Sequence, residues 1–279
     1  MNIREHIKSS ITIIDGAMGT MLQKYGSYQN SSVYGFEHPH IIKNIHEEYI
    51  KSGAQIITTN TFRANQYDIE KYNIEDVLNL NIQQAVDIKK SNENIFIALD
   101  VGPIGLNTNE LLEKEKVYQM YKKQIQISIK HDIDLIILET MMDLEETKVA
   151  IKSIKEITSK PIFCTFVIKD DLKTITGTPI NEVIQDIKDM NIDAFGVNCM
   201  SNEQTMIKCI QEIKKNLDIP IIVQPNLDTP ILNNKALIYK ETENEFYDKI
   251  RLYVREGATI IGGCCGTTPK YIEKIINIK

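Results

Sequence analysis

Asp134-Leu135-Ile136-Ile137-Leu138-Glu139-Thr140 is an unbroken apolar run held between two carboxylates, and apolar residues at helical spacing follow it over 144–157. A strand with one face in water alternates apolar and polar residues. A strand without alternation has both faces covered, as in a parallel sheet flanked by helices. The same unit recurs on either side of this run. The segments 11–15, 55–60, 95–100, 161–168, 194–199, 220–225 and 259–264 are also nearly continuously apolar, and helical spacing lies between them, for example over 39–52, 111–130, 203–216 and 244–256, with a last helix over 269–276. Eight such alternations fit a single (β/α)8 barrel, a TIM barrel, better than an open sheet. Residues 1–279 are read as one domain, with no linker or low-complexity stretch left over for a second.

The residues that do not suit a core fall at one place in each unit. Asp15, Asn60, Asp100, Glu139, Cys199, Asn226 and the pair Cys264/Cys265 all stand at or just past the carboxyl ends of the expected strands. In a barrel of this kind that end carries the active site. The fold would bring Cys199, on the sixth strand, toward Cys264/Cys265 on the eighth.

Ile260-Ile261-Gly262-Gly263-Cys264-Cys265-Gly266-Thr267-Thr268-Pro269 is poor core sequence, since glycine weakens a strand unless something must approach closely. Adjacent side chains in a strand point to opposite faces, so two neighbouring thiols reach one ion only where the backbone turns sharply, which glycine permits. Cys199, Cys264 and Cys265 then form a three-thiolate set of the kind Zn2+ prefers, with a fourth position open to a substrate. The competing reading is that buried cysteine is a common small core residue. Cys164, within Pro161-Ile162-Phe163-Cys164-Thr165-Phe166, and Cys209, on the apolar side of a helix, are read that way.

Composition narrows the function classes. The 279 residues carry a net charge of −6 and 42% hydrophobic content, with lysines scattered among acids and no basic face, so neither nucleic acid nor an anionic membrane surface is expected as a partner. Met1-Asn2-Ile3-Arg4-Glu5-His6 is polar and precedes only a short apolar run, too short for a membrane span and unlike a signal peptide, so a cytoplasmic location is expected. There the five cysteines stay reduced, which favours metal or catalytic roles over disulfides.

Four motifs in order, Asp15-Gly16-Ala17-Met18-Gly19-Thr20-Met21-Leu22-Gln23, Ile45-His46 with Ile56-Ile57-Thr58-Thr59-Asn60-Thr61-Phe62, Gly196-Val197-Asn198-Cys199 and Gly262 to Pro269, resemble the homocysteine S-methyltransferase family, in particular the homocysteine-binding module of cobalamin-dependent methionine synthases. The resemblance covers essentially the whole chain. It implies a zinc barrel that binds L-homocysteine, with Cys199, Cys264 and Cys265 as the metal ligands, and a glutamate at the position of Glu139 holding the substrate ammonium. Asp15 shares that task or orients its loop. The alternative for each acid is a hydrogen bond or salt bridge at the barrel mouth. The backbone amides of Gly16-Ala17-Met18-Gly19-Thr20 are the candidate cradle for the substrate carboxylate, and Asn60 completes the substrate-binding set. No protein nucleophile is needed, because the attacking group is the substrate thiolate generated on the metal. Asn226 is either the oxygen ligand that fills the open metal position without substrate or a plain turn residue.

Two departures from the family pattern stand out. Thr58 occupies a position where many members have an acid, and Pro225-Asn226-Leu227-Asp228 replaces the usual Pro-Asn-Ala-Gly. His38-Pro39-His40 is read as exposed helix capping, His46 as structural, and the twelve dispersed tyrosines as forming no visible cage. For the methyl donor, the chain contains no Asp-x-His-x-x-Gly pattern for holding a corrinoid. Methylcobalamin or another methylcorrinoid is therefore expected in trans, on a separate corrinoid- or folate-binding protein. The alternatives are S-methylmethionine, S-adenosylmethionine or betaine, for which the absence of Trp removes the best cation cage. A non-catalytic zinc- or thiol-binding subunit of a methyl-transfer assembly is the reading from a different class.

Overall fold

The apolar run 134–140 forms β4, Leu135–Met141, hydrogen-bonded in parallel to β3, Phe96–Val101, and to β5, Ile162–Phe166. The structure, a computed structural model, describes residues 2–26, 28–92, 94–105, 113–233 and 236–278. The remaining strands are β1 Thr12–Ile13, β2 Ile56–Thr58, β6 Ala194–Asn198, β7 Ile221–Gln224, a two-stranded antiparallel hairpin of β8 Ile231–Asn233 and β9 Ala236–Ile238, and β10 Ile260–Ile261. Eight of them form one parallel sheet in the order β1-β10-β7-β6-β5-β4-β3-β2. The ring closes between β1 and β2 through a parallel bridge at Ile14 and Ile56, where Asp15 N–H donates to Ile56 O at 3.0 Å and Gln55 N–H to Ile13 O at 2.8 Å. This is the expected (β/α)8 barrel.

The main helices follow their strands in turn: Pro39–Lys51, Ile74–Lys89, Lys114–Ser128, Leu144–Ile157, Ile180–Asp189, Glu203–Asn216, Glu243–Glu256 and Pro269–Ile275. The expected helix over 111–130 is seen from Lys114 onward, and Leu111 and Leu112 lie outside the described residues. The apolar run 161–168 does not stay a barrel strand to its end, because Ile168 leaves the barrel to bridge Thr174 in antiparallel fashion.

Side-chain alternation divides each strand between two cores. Ile14, Ile56, Ala98, Leu135, Ile137, Phe163, Ala194, Ile222 and Ile260 form a single buried cluster inside the ring, and the intervening residues pack outward against the helices. Each large apolar side chain buried this way contributes about 1.5–3 kcal/mol. Ile3 and Ile7 join the inner cluster from a first helix, Ile3–Ser9, that the sequence reading does not anticipate. An Asn2/Glu5 capping box starts that helix, and Arg4 Nε meets Asp193 Oδ1 at 2.5 Å. The helix stops the amino-terminal end of the barrel and leaves the carboxyl-terminal end as the open mouth. No described helix is long and apolar enough to cross a membrane.

Candidate metal centre and substrate pocket

Past the end of β6, Cys199 has φ of +58°, a left-handed conformation that costs a non-glycine residue on the order of 1–3 kcal/mol. Its N–H donates to Gln224 O at 3.1 Å, which fixes it against β7. The run after β10 is stitched to both neighbouring strands: Gly262 N–H donates to Val223 O at 3.1 Å, Gly263 N–H to Asp15 O at 3.2 Å, and Cys264 N–H to Pro225 O at 2.8 Å. Two different demands account for the glycines. A Cβ at Gly263 would lie 2.5 Å from Thr267 Cγ2, whereas Gly266 needs its φ of +91°.

The three sulfurs lie within 4.8 Å of one another, with Cys199 Sγ and Cys265 Sγ 4.0 Å apart. Sulfurs on a tetrahedral zinc at ~2.3 Å stand about 3.8 Å apart, so the set fits a single ion with little movement. The sulfurs already cooperate. Hydrogen bonds from the Cys199 and Cys264 thiols pull Cys265 down to about 3, while those contacts and burial hold Cys264 well above the ordinary thiol value. Asn226 Oδ1 accepts from Cys265 N–H at 3.0 Å, and its carboxamide bonds the Cys199 sulfur, so Asn226 braces both ligand loops. Cys164 and Cys209 are buried core residues, and burial pushes Cys164 far up and Cys209 to about 12.

Inside the ring, alternation puts a polar layer directly above the apolar cluster: Thr58, Asp100, Glu139, Thr165, Asn198 and Gln224 each follow an inward apolar residue by two or four positions. Glu139 is aimed by a register shift in β4 between Leu138 and Met141, where Thr140 has φ of +54°. Thr140 N–H donates to Thr165 Oγ1 at 3.2 Å, and Thr140 Oγ1 accepts from Asn198 Nδ2 at 2.7 Å. Burial, then the charge of Cys199, raises Glu139 to about 7, and Gln224 Nε2 donates to it at 3.5 Å. Burial lifts Asp15 well above the carboxylate range, against the opposing effect of Thr58, whose N–H donates at 2.9 Å and whose hydroxyl donates at 3.0 Å. At the Thr58 departure the side-chain hydroxyl thus donates to Asp15, where an acidic side chain would add a like charge. Burial, then Glu139 and Asp15, does the same to Asp100.

The other selected residues have distinct places. Within the segment 16–20, Ala17 N–H donates to Thr267 Oγ1 at 3.2 Å, Thr20 Oγ1 accepts from Gly266 N–H at 2.9 Å, and Met18, Gly19 and Thr20 lie in the short helix Met18–Leu22. Asn60 is buried, with its Nδ2 donating to Ser31 O and Asn81 Oδ1 at 2.8 Å each. Asp228 accepts from Lys240 N–H at 3.1 Å, so the second departure anchors the β8–β9 hairpin beside the mouth. The capping expected of His38 is not made: its side chain caps no amide, and its ring sits 4.6 Å from that of Tyr34. Tyr28 donates its hydroxyl to Gly19 O at 2.9 Å, and Tyr239 lays its ring against Gly266, next to Cys265. The sequence reading also passes over Asn198 and Gln224, although a period of two from Ala194 and Ile222 would have found them.

Known proteins resemble this chain in sequence and in fold. A family model described as Homocysteine S-methyltransferase matches residues 12–278. Homocysteine S-methyltransferase YbgG of Bacillus subtilis is 26% identical over 311 aligned positions, covering 99% of this chain and 97% of that protein. Methionine synthase of Mycobacterium leprae is 24% identical over 98% of this chain, which spans only 25% of that protein's length. The metallated form of the homocysteine methyltransferase MmuM from Escherichia coli superposes with a TM-score of 0.82 at 21% identity, covering 98% of both chains, and supports the fold. With the model matched along almost its full length, the chain belongs to the homocysteine S-methyltransferase family.

Proposed function

We propose that the protein methylates the thiol of L-homocysteine to give L-methionine, using Zn2+ held by Cys199, Cys264 and Cys265. The observation that carries the reading is the convergence of three sulfurs within 4.8 Å, beside the carboxyl group of Glu139 at the barrel mouth. When bound, the ion supplies deprotonation and placement of the substrate thiol. The protein residues do the rest. Glu139 takes the substrate ammonium, with Asp15 beside it, and the backbone of Gly16 to Thr20 faces the carboxylate. Asn226 holds the ligand loops and is the candidate oxygen donor to the metal when substrate is absent. Asn60 is assigned to the wall of the substrate pocket. A reducing cytoplasm suits three free thiols.

Two readings of the methyl donor rest on different observations. The match to a quarter of a methionine synthase favours a methylcorrinoid presented by a separate corrinoid- or folate-binding protein. Tyr239 against Gly266, and Tyr28 on Gly19, favour a small cationic donor such as S-methylmethionine, because aromatic faces attract cations. The test is methionine formation by the zinc-loaded protein from homocysteine with methylcobalamin, S-methylmethionine, betaine and S-adenosylmethionine in parallel. Turnover with methylcobalamin supports the first reading, and turnover with the cationic donors alone supports the second. No methionine with any donor overturns the assignment as a methyltransferase.

A further inference from the structure

Three acceptor oxygens in the polar layer have no hydrogen-bond partner among the described residues: Asp100 Oδ1, Asn198 Oδ1 and Gln224 Oε1. All three residues are buried, with 6%, 0% and 2% of their surface exposed. Leaving such a group unpaired costs about 1–3 kcal/mol each, so a native fold keeps three together only where something else fills the need. The bonds that Asn198, Gln224 and Thr58 donate go to other groups. Asn198 Nδ2 goes to Thr140 Oγ1 at 2.7 Å, Gln224 Nε2 to Glu139 Oε1 at 3.5 Å, and the Thr58 hydroxyl to Asp15. What remains is a layer of acceptors that includes the carboxyl groups of Asp15, Asp100 and Glu139, with Glu139 and Asp15 close enough to act on Asp100.

Such a layer suits a group that brings donors only, and an ammonium brings three. The layer begins directly under the metal centre, because Asn198 Nδ2 is also 4.0 Å from Cys264 Sγ. In homocysteine three carbons separate the sulfur from the nitrogen. A thiol seated at the three cysteines therefore carries its ammonium down toward this layer. On the strands, Asp100 follows the inward Ala98 by two residues, so its side chain enters from β3 on the side of Glu139 away from Gln224.

We propose that Asp100 is a substrate-binding residue that accepts from the α-ammonium together with Glu139, and that the orphaned oxygens of Asn198 and Gln224 complete a recognition site for a free α-amino group. This rests on the reading of the substrate given above. It makes the amino group a requirement for tight binding, so thiols of the same length without it bind less well.

The test is calorimetric titration of the zinc-loaded protein and its Asp100→Asn variant with L-homocysteine and with 4-sulfanylbutanoate, which keeps the thiol, chain and carboxylate and lacks the amine. The expected result is that the variant binds L-homocysteine about 10- to 100-fold more weakly, while its affinity for 4-sulfanylbutanoate and its zinc content stay within twofold of the parent. If Asp100→Asn does not fold, Asp100→Ser is read in the same way. Unchanged affinity for homocysteine, or an equal loss for both thiols, overturns the role of Asp100. If neither thiol binds the parent protein, the substrate assignment itself fails, and that outcome is distinct from a selective failure at Asp100.

Discussion

Glu139 shows how this fold turns a strand residue into the group proposed to hold the substrate ammonium. The shift in register after Leu138 and the left-handed Thr140 keep its carboxyl in the barrel, and burial, then the charge of Cys199, raises it to about 7. A neutral acid and a carboxylate are then close in free energy at physiological pH, and an arriving ammonium tips the balance toward the charged form. Glu139→Gln keeps the shape and removes the charge. It is expected to weaken homocysteine binding by about 1.5–3 kcal/mol, the usual worth of a hydrogen bond to a charged group, with zinc content unchanged. Calorimetry beside metal analysis checks both. Full affinity in a folded Glu139→Gln protein would mean that the ammonium is held elsewhere.

Among the elements, the helix Pro39–Lys51 carries a feature with a measurable cost. It buries Ile41, Ile42, Ile45, His46 and Tyr49, and both ring nitrogens of His46 lack a partner among the described residues. Burial lowers His46 to about 4. The unfolded chain titrates near 6.5, so between these values the unfolded state binds the extra proton. Stability from this site is full above pH 6.5 and is lost as the pH falls toward 4, by about 3 kcal/mol. His46→Leu should flatten that dependence, and thermal unfolding of both proteins between pH 7 and 4.5 measures it. Parallel curves would show that His46 does not titrate in this window. At this scale the sequence was most legible where the signal was redundant. Uninterrupted apolar runs such as Leu135 to Leu138 marked all eight barrel strands, and the acids and cysteines at their ends marked the mouth. The helix Ile3–Ser9 is only seven residues long, and it owes its place to Ile3 and Ile7 entering the barrel, a tertiary fact with no local signature. The β8–β9 hairpin was missed because short strands without a strong alternating pattern read as loop. Asn198 and Gln224 went unassigned because each looks like an ordinary polar strand end until the inner face of the ring is known.

For the whole molecule, ring closure is what makes the site. Cys199 and the Cys264/Cys265 pair are separated by more than sixty positions in sequence, with β7 between their strands, and they meet because the parallel order β6-β7-β10 curves round to β1. The same curvature brings Asp15, Asp100 and Glu139, at the ends of β1, β3 and β4, close enough to act on one another, so the proposed metal and substrate subsites are products of one closed sheet. The central claim is that three cysteine sulfurs hold one zinc and leave one position for the substrate thiol. X-ray absorption at the zinc edge, on protein of measured metal content, tests it most directly. The account predicts one zinc per chain with three sulfur neighbours, and a fourth sulfur in place of a lighter atom after homocysteine is added. A shell with fewer than three sulfurs, or one that homocysteine leaves unchanged, would contradict it.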